Sequence, residues 1–390
     1  MTAAGAWLRL TAFAAAGGTL LAVVSGATGF EHRMLSAIAV PPLVALVLAG
    51  WFARRRLLVP SLVALLLFGA AALVTGTALH VTLAAFAFAA ALVACVQAFR
   101  GGHVPAGSWR DYVTLTKPRI MTLLLLTGAC GMVVGARGWP SPGLFLAAMT
   151  GLALACGGAS ALNHVLDADI DRLMGKRTEK RPVAAGRIEP GRALEFGLTL
   201  SAFSFVLLAS TVNVLTAALA LAGNLFYVLV YTRLLKRSTP QNIVIGGAAG
   251  AVPPLVGWAA ATGNLTLPAL WLFLIVFFWT PPHFWALALL IKDAYSNANV
   301  PMLPVVRGER ETLRQIVLYT LVLIAVTLIP VATGTFGALY AVSALALGLV
   351  FLALTLQLRR DPSKRRAAFL FHYSLLYLAL LFVAMALDVV

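Results

Sequence analysis

Charged residues are scarce in this sequence. Of its 390 residues, 11% are Asp, Glu, Lys or Arg, only 13 are acidic, and 61% are hydrophobic. The mean hydropathy is +0.94, which excludes an ordinary soluble globular domain. Apolar runs of about 20 residues, the length that crosses a hydrocarbon core, recur from end to end. The sequence therefore predicts an all-α polytopic membrane protein.

Cysteine is rare as well. Cys95, Cys130 and Cys156 lie in apolar runs and none has CxxC spacing, which predicts buried, inert thiols rather than a metal site or a disulfide framework.

The first apolar run, about residues 8–28, is too long for a signal-peptide core and lacks an obvious cleavage site. We expect a retained helix there.

The apolar runs predict about thirteen membrane spans. They begin near residues 7, 34, 57, 79, 119, 143, 190, 212, 242, 267, 314, 335 and 367. The stretch FRGGHVPAGSWRDY, residues 99–112, is rich in Gly, Pro and charge, as linkers are. We predict a four-helix N-terminal unit over residues 1–100, a linker over 101–114 and a nine-helix domain over 115–390.

The net charge of +16 has a distribution that argues against nucleic-acid binding. Lys and Arg occupy every second loop, beginning with Arg54–Arg56, and the intervening loops carry almost none, with Arg33 and Arg137 as exceptions. This is the positive-inside pattern of membrane proteins. It predicts a protein of the inner (plasma) membrane with a cytoplasmic N-terminus and a cytoplasmic loop at residues 161–186.

The few acidic residues concentrate in that loop, ALNHVLDADIDRLMGKRTEKRPVAAG. Asn163, Asp167 and Asp171 recur every four residues and would share one face of a helix, whereas Asp169 would point elsewhere. These oxygen ligands suit Mg2+, which is usually held by one or two carboxylates together with substrate phosphates. The alternative is a helix end that carries membrane-surface charge, but stacked acids are unusual in that role.

Cations follow the acidic residues directly. Lys176, Arg177, Lys180 and Arg181 come within ten residues of Asp171. Arginine forms bidentate contacts with phosphate oxygens, and lysine acts as a point charge. The combination predicts a site for a metal-bound phosphate group.

A second polar cluster is YTRLLKRSTPQNIVIGG, residues 231–247. It surrounds a helix end with Tyr231 and Lys236. Because a basic cytoplasmic loop is expected in any membrane protein, this cluster by itself does not distinguish a binding site from ordinary topology.

The third cluster is WTPPHFWALALLIKDAYSNANVPMLPVVRGER, residues 279–310. His283 lies in an aromatic helix that we expect to be broken at Pro-Pro, and Asp293 follows the cytoplasmic end of that helix. An intramembrane histidine is either a packed, hydrogen-bonded side chain or a contact to ligand or substrate. Asp293 could share a metal with the first cluster if the two helix ends meet.

Seven strings carry a family resemblance. They are LTKPR (115–119), NxxxDxxxD (163–171), KRPVAAG (180–186), LKRSTPQNIVIGG (235–247), AVPPLVGWAA (251–260), PPHFWALAL (281–289) and VPMLPVV (300–306). In this order they resemble the UbiA-type superfamily of intramembrane prenyltransferases, from about residue 112 to the C-terminus. The aspartate motif indicates only the superfamily. TPQNIVIGG and PPHFWAL resemble, more narrowly, its protoheme IX farnesyltransferase branch.

The resemblance implies a nine-helix UbiA-like bundle around a central cavity, with two acidic loops at the cytoplasmic mouth. It implies Mg2+-dependent transfer of the farnesyl group of farnesyl diphosphate to a vinyl group of heme B, with addition of water, to give heme O. A heme A synthase or cytochrome oxidase assembly factors are the implied partners. Metal and cations would stabilise charge on the departing diphosphate, and apolar walls would shield the allylic cation from water.

The resemblance also implies roles for individual residues. They are Asn163, Asp167, Asp171 and Asp293 as catalytic residues, the first three as Mg2+ ligands; Lys117, Arg119, Lys176, Arg177, Arg181, Tyr231 and Lys236 as diphosphate contacts; and His283 as a heme contact. One departure concerns the string KDAY, where Ala294 stands at a position that is often acidic in the branch. Whether a second Mg2+ binds near Asp293 is therefore open.

The first hundred residues lie outside this resemblance. His32 and His80 fall at the outer starts of the second and fourth predicted helices. Two histidines on one membrane face of a four-helix unit can ligate a heme axially, and the unit weakly resembles half of a heme A synthase. A bound heme, a heme chaperone and a plain membrane anchor with two interfacial histidines are all open.

Two other functions compete with heme farnesylation. A UbiA-type prenyltransferase acting on an aromatic quinone precursor would need a small polar acceptor site, whereas PPHFWALAL offers histidine and aromatic side chains suited to a porphyrin. An ion-coupled transporter would place its acids near the bilayer midplane, often within inverted repeats. Here the acids lie at helix ends on one side, and no inverted repeat is evident.

Overall fold

The computed structural model describes residues 3–28, 32–52, 57–73, 78–99, 107–175 and 178–390. Within these ranges every regular element is a helix, which confirms the all-α prediction. The N-terminal unit consists of α1 (Ala3–Thr28), α2 (His32–Phe52), α3 (Leu58–Leu73) and α4 (Ala78–Phe99). These four helices begin close to the first four predicted span starts.

The core of the N-terminal unit is rich in alanine. Ala12, Ala15, Ala39 and Ala87 are all fully buried there. Lipid tails are as apolar as the side chains, so van der Waals packing holds membrane helices together, and small residues let their backbones approach. The alanine pattern therefore gives this unit a tight interior of its own.

The second unit holds the remaining elements. They are α5 (Trp109–Leu115), α6 (Pro118–Ala136), α7 (Pro142–Leu166), α8 (Ala168–Leu173), α9 (Pro190–Thr211), α10 (Val214–Leu225), a π-helical segment (Phe226–Leu235), α11 (Lys236–Ser238), α12 (Asn242–Gly250), α13 (Val252–Thr262), α14 (Leu267–Leu290), α15 (Lys292–Asn297), α16 (Leu303–Val306), α17 (Gly308–Ala332), α18 (Ala338–Arg360) and α19 (Lys364–Val389).

Nine helices in the described residues are long and apolar enough to cross a membrane, counting α10 through α11 as one and α12 with α13 as one. All nine lie in the second unit, so the predicted nine-helix bundle is confirmed. Four of them begin with proline in the first turn, including Pro118 and Pro142. Proline is tolerated there because the first N–H groups of a helix have no partner within the helix.

Helices α6 and α13 approach more closely than side chains would permit. A Cβ placed on Gly257 would lie 1.9 Å from the carbonyl oxygen of Gly128, and one on Gly131 would lie 2.5 Å from that of Pro254. Glycine at these positions lets the two backbones touch. This contact joins the first span of the bundle to its fifth.

The two units meet along α4 and α9. The rings of Phe86 and Phe203 lie 4.8 Å apart across this contact.

Part of the predicted linker, residues 101–106, falls outside the described residues, and the second half of the linker forms α5. Asp111 of α5 pairs with Arg187 at 2.7 Å, which ties α5 to the loop before α9. The division into domains stays a prediction.

The prediction of a break in α14 is wrong. The helix continues from Leu267 to Leu290 with Pro281 and Pro282 inside it. Neither proline can donate to the carbonyl four residues earlier. Membrane helices keep such prolines because neighbouring helices and hydroxyl side chains satisfy the freed backbone groups. His283 therefore projects from an unbroken helix.

Candidate active site

The acidic motif spans the junction of α7 and α8. Asp167 is the single turn residue between the two helices. Its N–H nevertheless donates to the Asn163 carbonyl at 2.9 Å, and its own carbonyl accepts from the Asp171 N–H at 2.8 Å. These bonds keep the four-residue helical register across the junction. Asn163, Asp167 and Asp171 are all buried, whereas the carboxylate of Asp169 is 62% exposed. The predicted common face is present.

A chain of polar contacts joins this face to two distant elements. Lys117, at the start of α6, donates to Asn163 Oδ1 at 2.6 Å, and Asn163 Nδ2 donates to Asp167 Oδ2 at 2.8 Å. Lys236 of α11 reaches the same Asp167 oxygen at 2.5 Å. Thr232 accepts a further bond from Asn163 at 3.1 Å. Three spans therefore contribute to one polar centre.

Arg181 completes the cationic side of this centre. Its Nη1 lies 2.7 Å from Asp171 Oδ1. Burial, together with the nearby Arg181 and Lys236 cations, lowers the pKa of the half-buried Lys117 ammonium to about 7. Three cations thus face two carboxylates, and the excess of positive charge favours an anionic ligand.

Two buried carboxylate oxygens lack donors. Asp167 Oδ1 and Asp171 Oδ2 have no hydrogen-bond partner within the described part of the chain. A buried polar atom without a partner is costly, and burial raises the pKa of Asp171 despite the opposing effect of Arg181. A bound cation would satisfy both oxygens. The residues therefore fit Mg2+.

The protein offers this cation only a few ligands. Among the residues that the structure describes, no three His, Cys, Asp or Glu side chains form a metal-holding group. Mg2+ usually keeps several waters and takes further oxygens from substrate phosphates. The sparse ligand set beside an excess of cations is suited to a metal that arrives with a phosphate compound.

The comparisons with known proteins agree with this chemistry. A model described as "UbiA prenyltransferase family" matches residues 124–381. This chain belongs to that family. The protoheme IX farnesyltransferase of Symbiobacterium thermophilum is 56% identical over 282 residues, which cover 72% of this chain and 94% of that protein.

The protoheme IX farnesyltransferase of Thermus thermophilus is 53% identical over 281 residues, 72% of this chain. The match covers only 46% of that relative, so this chain spans about half the length of the Thermus protein.

Solved structures share the UbiA fold at low sequence identity. A digeranylgeranylglyceryl phosphate synthase matches with a TM-score of 0.60 and 18% identity, over 72% of this chain and 98% of that one. A UbiA homologue from Archaeoglobus fulgidus bound to GPP and Mg2+ matches with a TM-score of 0.52 and 16% identity, over 70% and 99% of the two chains.

Some predicted site residues of the UbiA domain are not joined to the centre. Lys176 and Arg177 fall outside the described residues. Arg119 is exposed, and the structure describes no side-chain hydrogen bond from it. Tyr231 stacks on Tyr227 with ring centroids 5.5 Å apart. The roles of these four predicted contacts with diphosphate stay predictions.

The third cluster does meet the first. Ile170 of α8 and Tyr295 of α15 belong to one hydrophobic cluster, so the two helix ends are neighbours as the sequence hypothesis required. The side chain of Asp293 is exposed at the start of α15. Whether it adds a metal ligand stays a prediction.

Sequence reasoning missed two features of the site. Arg237 holds Asp169 with two bonds of 2.7 Å and donates to the Leu166 carbonyl at 2.6 Å, and this hydrogen bonding lowers the pKa of Asp169 to about 2. This pair braces α11 against α8.

The second missed feature is His164. It is 2% exposed and both its ring nitrogens lack partners among the described residues. Its adjacency to Asn163 was the available signal.

The predicted heme ligands of the N-terminal unit are two histidines at helix starts. His32 begins α2 and His80 lies in the first turn of α4. Their side chains fall outside what the structure describes. Heme binding by this unit therefore stays a prediction, as does its role as an anchor.

Proposed function

We propose that this protein transfers the farnesyl group of farnesyl diphosphate to a vinyl group of heme B and so forms heme O. The observation that carries the proposal is the pair of donorless buried oxygens, Asp167 Oδ1 and Asp171 Oδ2, beside three cations. The names of the relatives at 53–56% identity support the choice of farnesyl diphosphate and heme as substrates.

The residues of the polar centre divide into two groups. Asn163, Asp167 and Asp171 would hold Mg2+, and Lys117, Arg181 and Lys236 would contact the diphosphate. When bound, the metal would neutralise negative charge that develops on the departing diphosphate. The three side-chain cations act in the same direction because they are already oriented by their carboxylate and amide partners. Lys176, Arg177, Arg119, Tyr231 and Asp293 are further candidates for this step.

The acceptor needs no side-chain nucleophile, since the vinyl group itself supplies the electron pair. Beneath the polar centre, the aromatic residues of α14 would accommodate the porphyrin, with His283 as its contact. Apolar helix walls would hold the C15 chain and keep water from the allylic cation until the new carbon–carbon bond has formed. Addition of water then yields the hydroxylated side chain of heme O.

The setting of the reaction follows from the charge pattern. Lys and Arg concentrate in the loops that carry the polar centre, and such loops face the cytoplasm in membrane proteins. We therefore place the reaction at the cytoplasmic side of the inner (plasma) membrane. A heme A synthase or a cytochrome oxidase assembly factor would be a suitable recipient of the product.

The test incubates purified protein with heme B, farnesyl diphosphate and Mg2+ and looks for the mass of heme B plus a hydroxylated farnesyl group. We expect this product, its loss with EDTA, and its loss in Asp167→Asn and Asp171→Asn. Asp169→Asn is the matched control because its carboxylate is exposed and held by Arg237. Product formed only from a quinone-precursor aromatic acid would contradict the proposal, and an active Asp171→Asn enzyme would contradict the metal site.

A further inference from the structure

His283 is held in one orientation by its neighbours. Its ring is stacked between Trp279, at a centroid distance of 4.3 Å, and Phe371, at 4.8 Å. The Trp279 indole is itself fixed, because its Nε1 donates to the Ser374 carbonyl at 2.8 Å. His283, Trp279 and Ser374 are all buried. The ring therefore has little freedom to rotate.

The hydrogen bonds of Ser374 determine which ring nitrogen carries the proton. Its hydroxyl donates to the Phe371 carbonyl at 2.7 Å, and a hydroxyl has only one hydrogen to give. The remaining contact of Ser374 Oγ, at 2.7 Å to His283 Nδ1, must then be one in which the imidazole donates. In the neutral ring the proton lies on Nδ1, and Nε2 keeps its lone pair.

Nε2 forms no hydrogen bond within the part of the chain that the structure describes. A histidine whose Nδ1–H is tied to an oxygen and whose Nε2 is free has the arrangement found in metal-ligating imidazoles, where the outer hydrogen bond fixes both tautomer and ring direction. Iron in heme accepts such a nitrogen as an axial ligand.

The position of His283 also suits a substrate contact. It lies seven residues before Leu290, the end of α14, or about 10 Å along the helix axis. The next residue, Phe284, packs in the same cluster as Ile170 and Tyr231, beside the acidic motif. His283 therefore lies about two helical turns from the end of α14, in the part of that helix that packs near the acidic motif.

We propose that His283 Nε2 is the axial ligand of the iron of substrate heme, and that Ser374 is the positioning residue that sets its tautomer. The inference rests on the proposed function, because it names how the heme substrate is held. Ligation at this depth would anchor the porphyrin plane while its vinyl edge is presented to the farnesyl group.

The experiment titrates heme B into purified full-length protein without farnesyl diphosphate and records the Soret and visible bands. We expect a saturable histidine-ligated spectrum that is lost in His283→Ala and restored by added imidazole. His283→Met should instead give a thioether-ligated spectrum, which also shows that the site is folded. Difference spectra between wild type and variant isolate this site from any heme in the N-terminal unit.

Ser374→Ala should shift the ligand-field bands and weaken heme binding about 10- to 100-fold, the usual effect of removing an outer hydrogen bond from a metal ligand. Ser343→Ala is the matched control, since its hydroxyl also bonds a carbonyl of its own helix but is exposed. His372→Ala controls for loss of an exposed histidine on the same helix as Ser374. Metal-free protoporphyrin should bind without any dependence on His283.

The outcomes separate this inference from the proposed function. Heme O formation by wild type, with a spectrum unchanged in His283→Ala, would overturn the ligand assignment alone. A spectrum that depends on His283, without heme O formation, would support the ligand and contradict the proposed reaction. No saturable heme binding by wild type would also overturn the assignment, and an unshifted Ser374→Ala spectrum would overturn the positioning role.

Discussion

The pair formed by Lys236 and Asp167 offers the sharpest energetic prediction. The two side chains are 10% and 1% exposed, and Nζ lies 2.5 Å from Oδ2. Lys236→Met keeps most of the apolar stem but leaves a buried carboxylate without its cation. Breaking a buried pair in this way costs about 3–5 kcal/mol. Since Asn163 still donates to the same oxygen, we expect the low end, about 3 kcal/mol.

A double-mutant cycle tests the cause of this loss. Adding Asp167→Asn removes the stranded charge, so Lys236→Met should cost only about 1 kcal/mol on that background, a coupling of about 2 kcal/mol. The measurement is the free energy of unfolding in detergent micelles by titration with SDS. EDTA is present so that no metal substitutes for the missing cation.

The matched control for this cycle is Lys292→Met. Lys292 pairs with Glu309 at 3.0 Å, but the two side chains are 35% and 53% exposed. Exposed pairs contribute about 0–1 kcal/mol, so this variant should be nearly as stable as wild type. If Lys236→Met cost no more than Lys292→Met, or if the two changes in the cycle were additive, the reasoning about the buried centre would be wrong.

Three further predictions concern packing, acid and metal. Gly257→Ala should lower the free energy of unfolding by about 2 kcal/mol, because overpacking against the backbone costs about 3 kcal/mol and the better helix propensity of alanine returns about 1 kcal/mol. Gly143→Ala, which has open space at its Cβ, should not be destabilised. Equal effects of the two substitutions would refute the close contact. Hydrogen bonds from the Ser108 backbone and Arg187 hold the pKa of Asp111 at about 2. The stabilisation that this carboxylate contributes is therefore present above pH about 4 and is lost as the pH falls through about 2. An Asp111→Asn variant should lack that component in acid unfolding curves, and an unchanged curve would contradict this role of Asp111. Mg2+ at about 100 times its dissociation constant should add about 2.7 kcal/mol to wild-type stability; a thermal shift of the same size in Asp171→Asn would contradict the metal site.

Much of the architecture follows from local sequence. Apolar runs of membrane-spanning length predicted the nine helices, because the bilayer requires each spanning segment to satisfy its own backbone. The four-residue spacing of Asn163, Asp167 and Asp171 predicted their shared face, and it also placed Asp169 on the opposite side. These are properties of a single helix, so no tertiary information was needed.

The limits of local reasoning appear at α14 and His164. Two consecutive prolines predicted a break, but the surrounding bundle keeps α14 continuous from Leu267 to Leu290. His164 points off the acidic face by helical periodicity, yet it is buried with both ring nitrogens free of partners among the described residues. Burial depends on which helices lie alongside, and that is not encoded in periodicity.

The sequence by itself determined the helices, the membrane setting and the family, since each depends on composition, spacing or short motifs. Only the tertiary structure decided which polar side chains meet. Lys117 reaches Asn163 across 46 positions, Lys236 reaches Asp167 across 69, and His283 reaches Ser374 across 91. A hydrogen bond acts over about 3 Å, so contacts between such distant positions exist only once the spans have packed around a common centre.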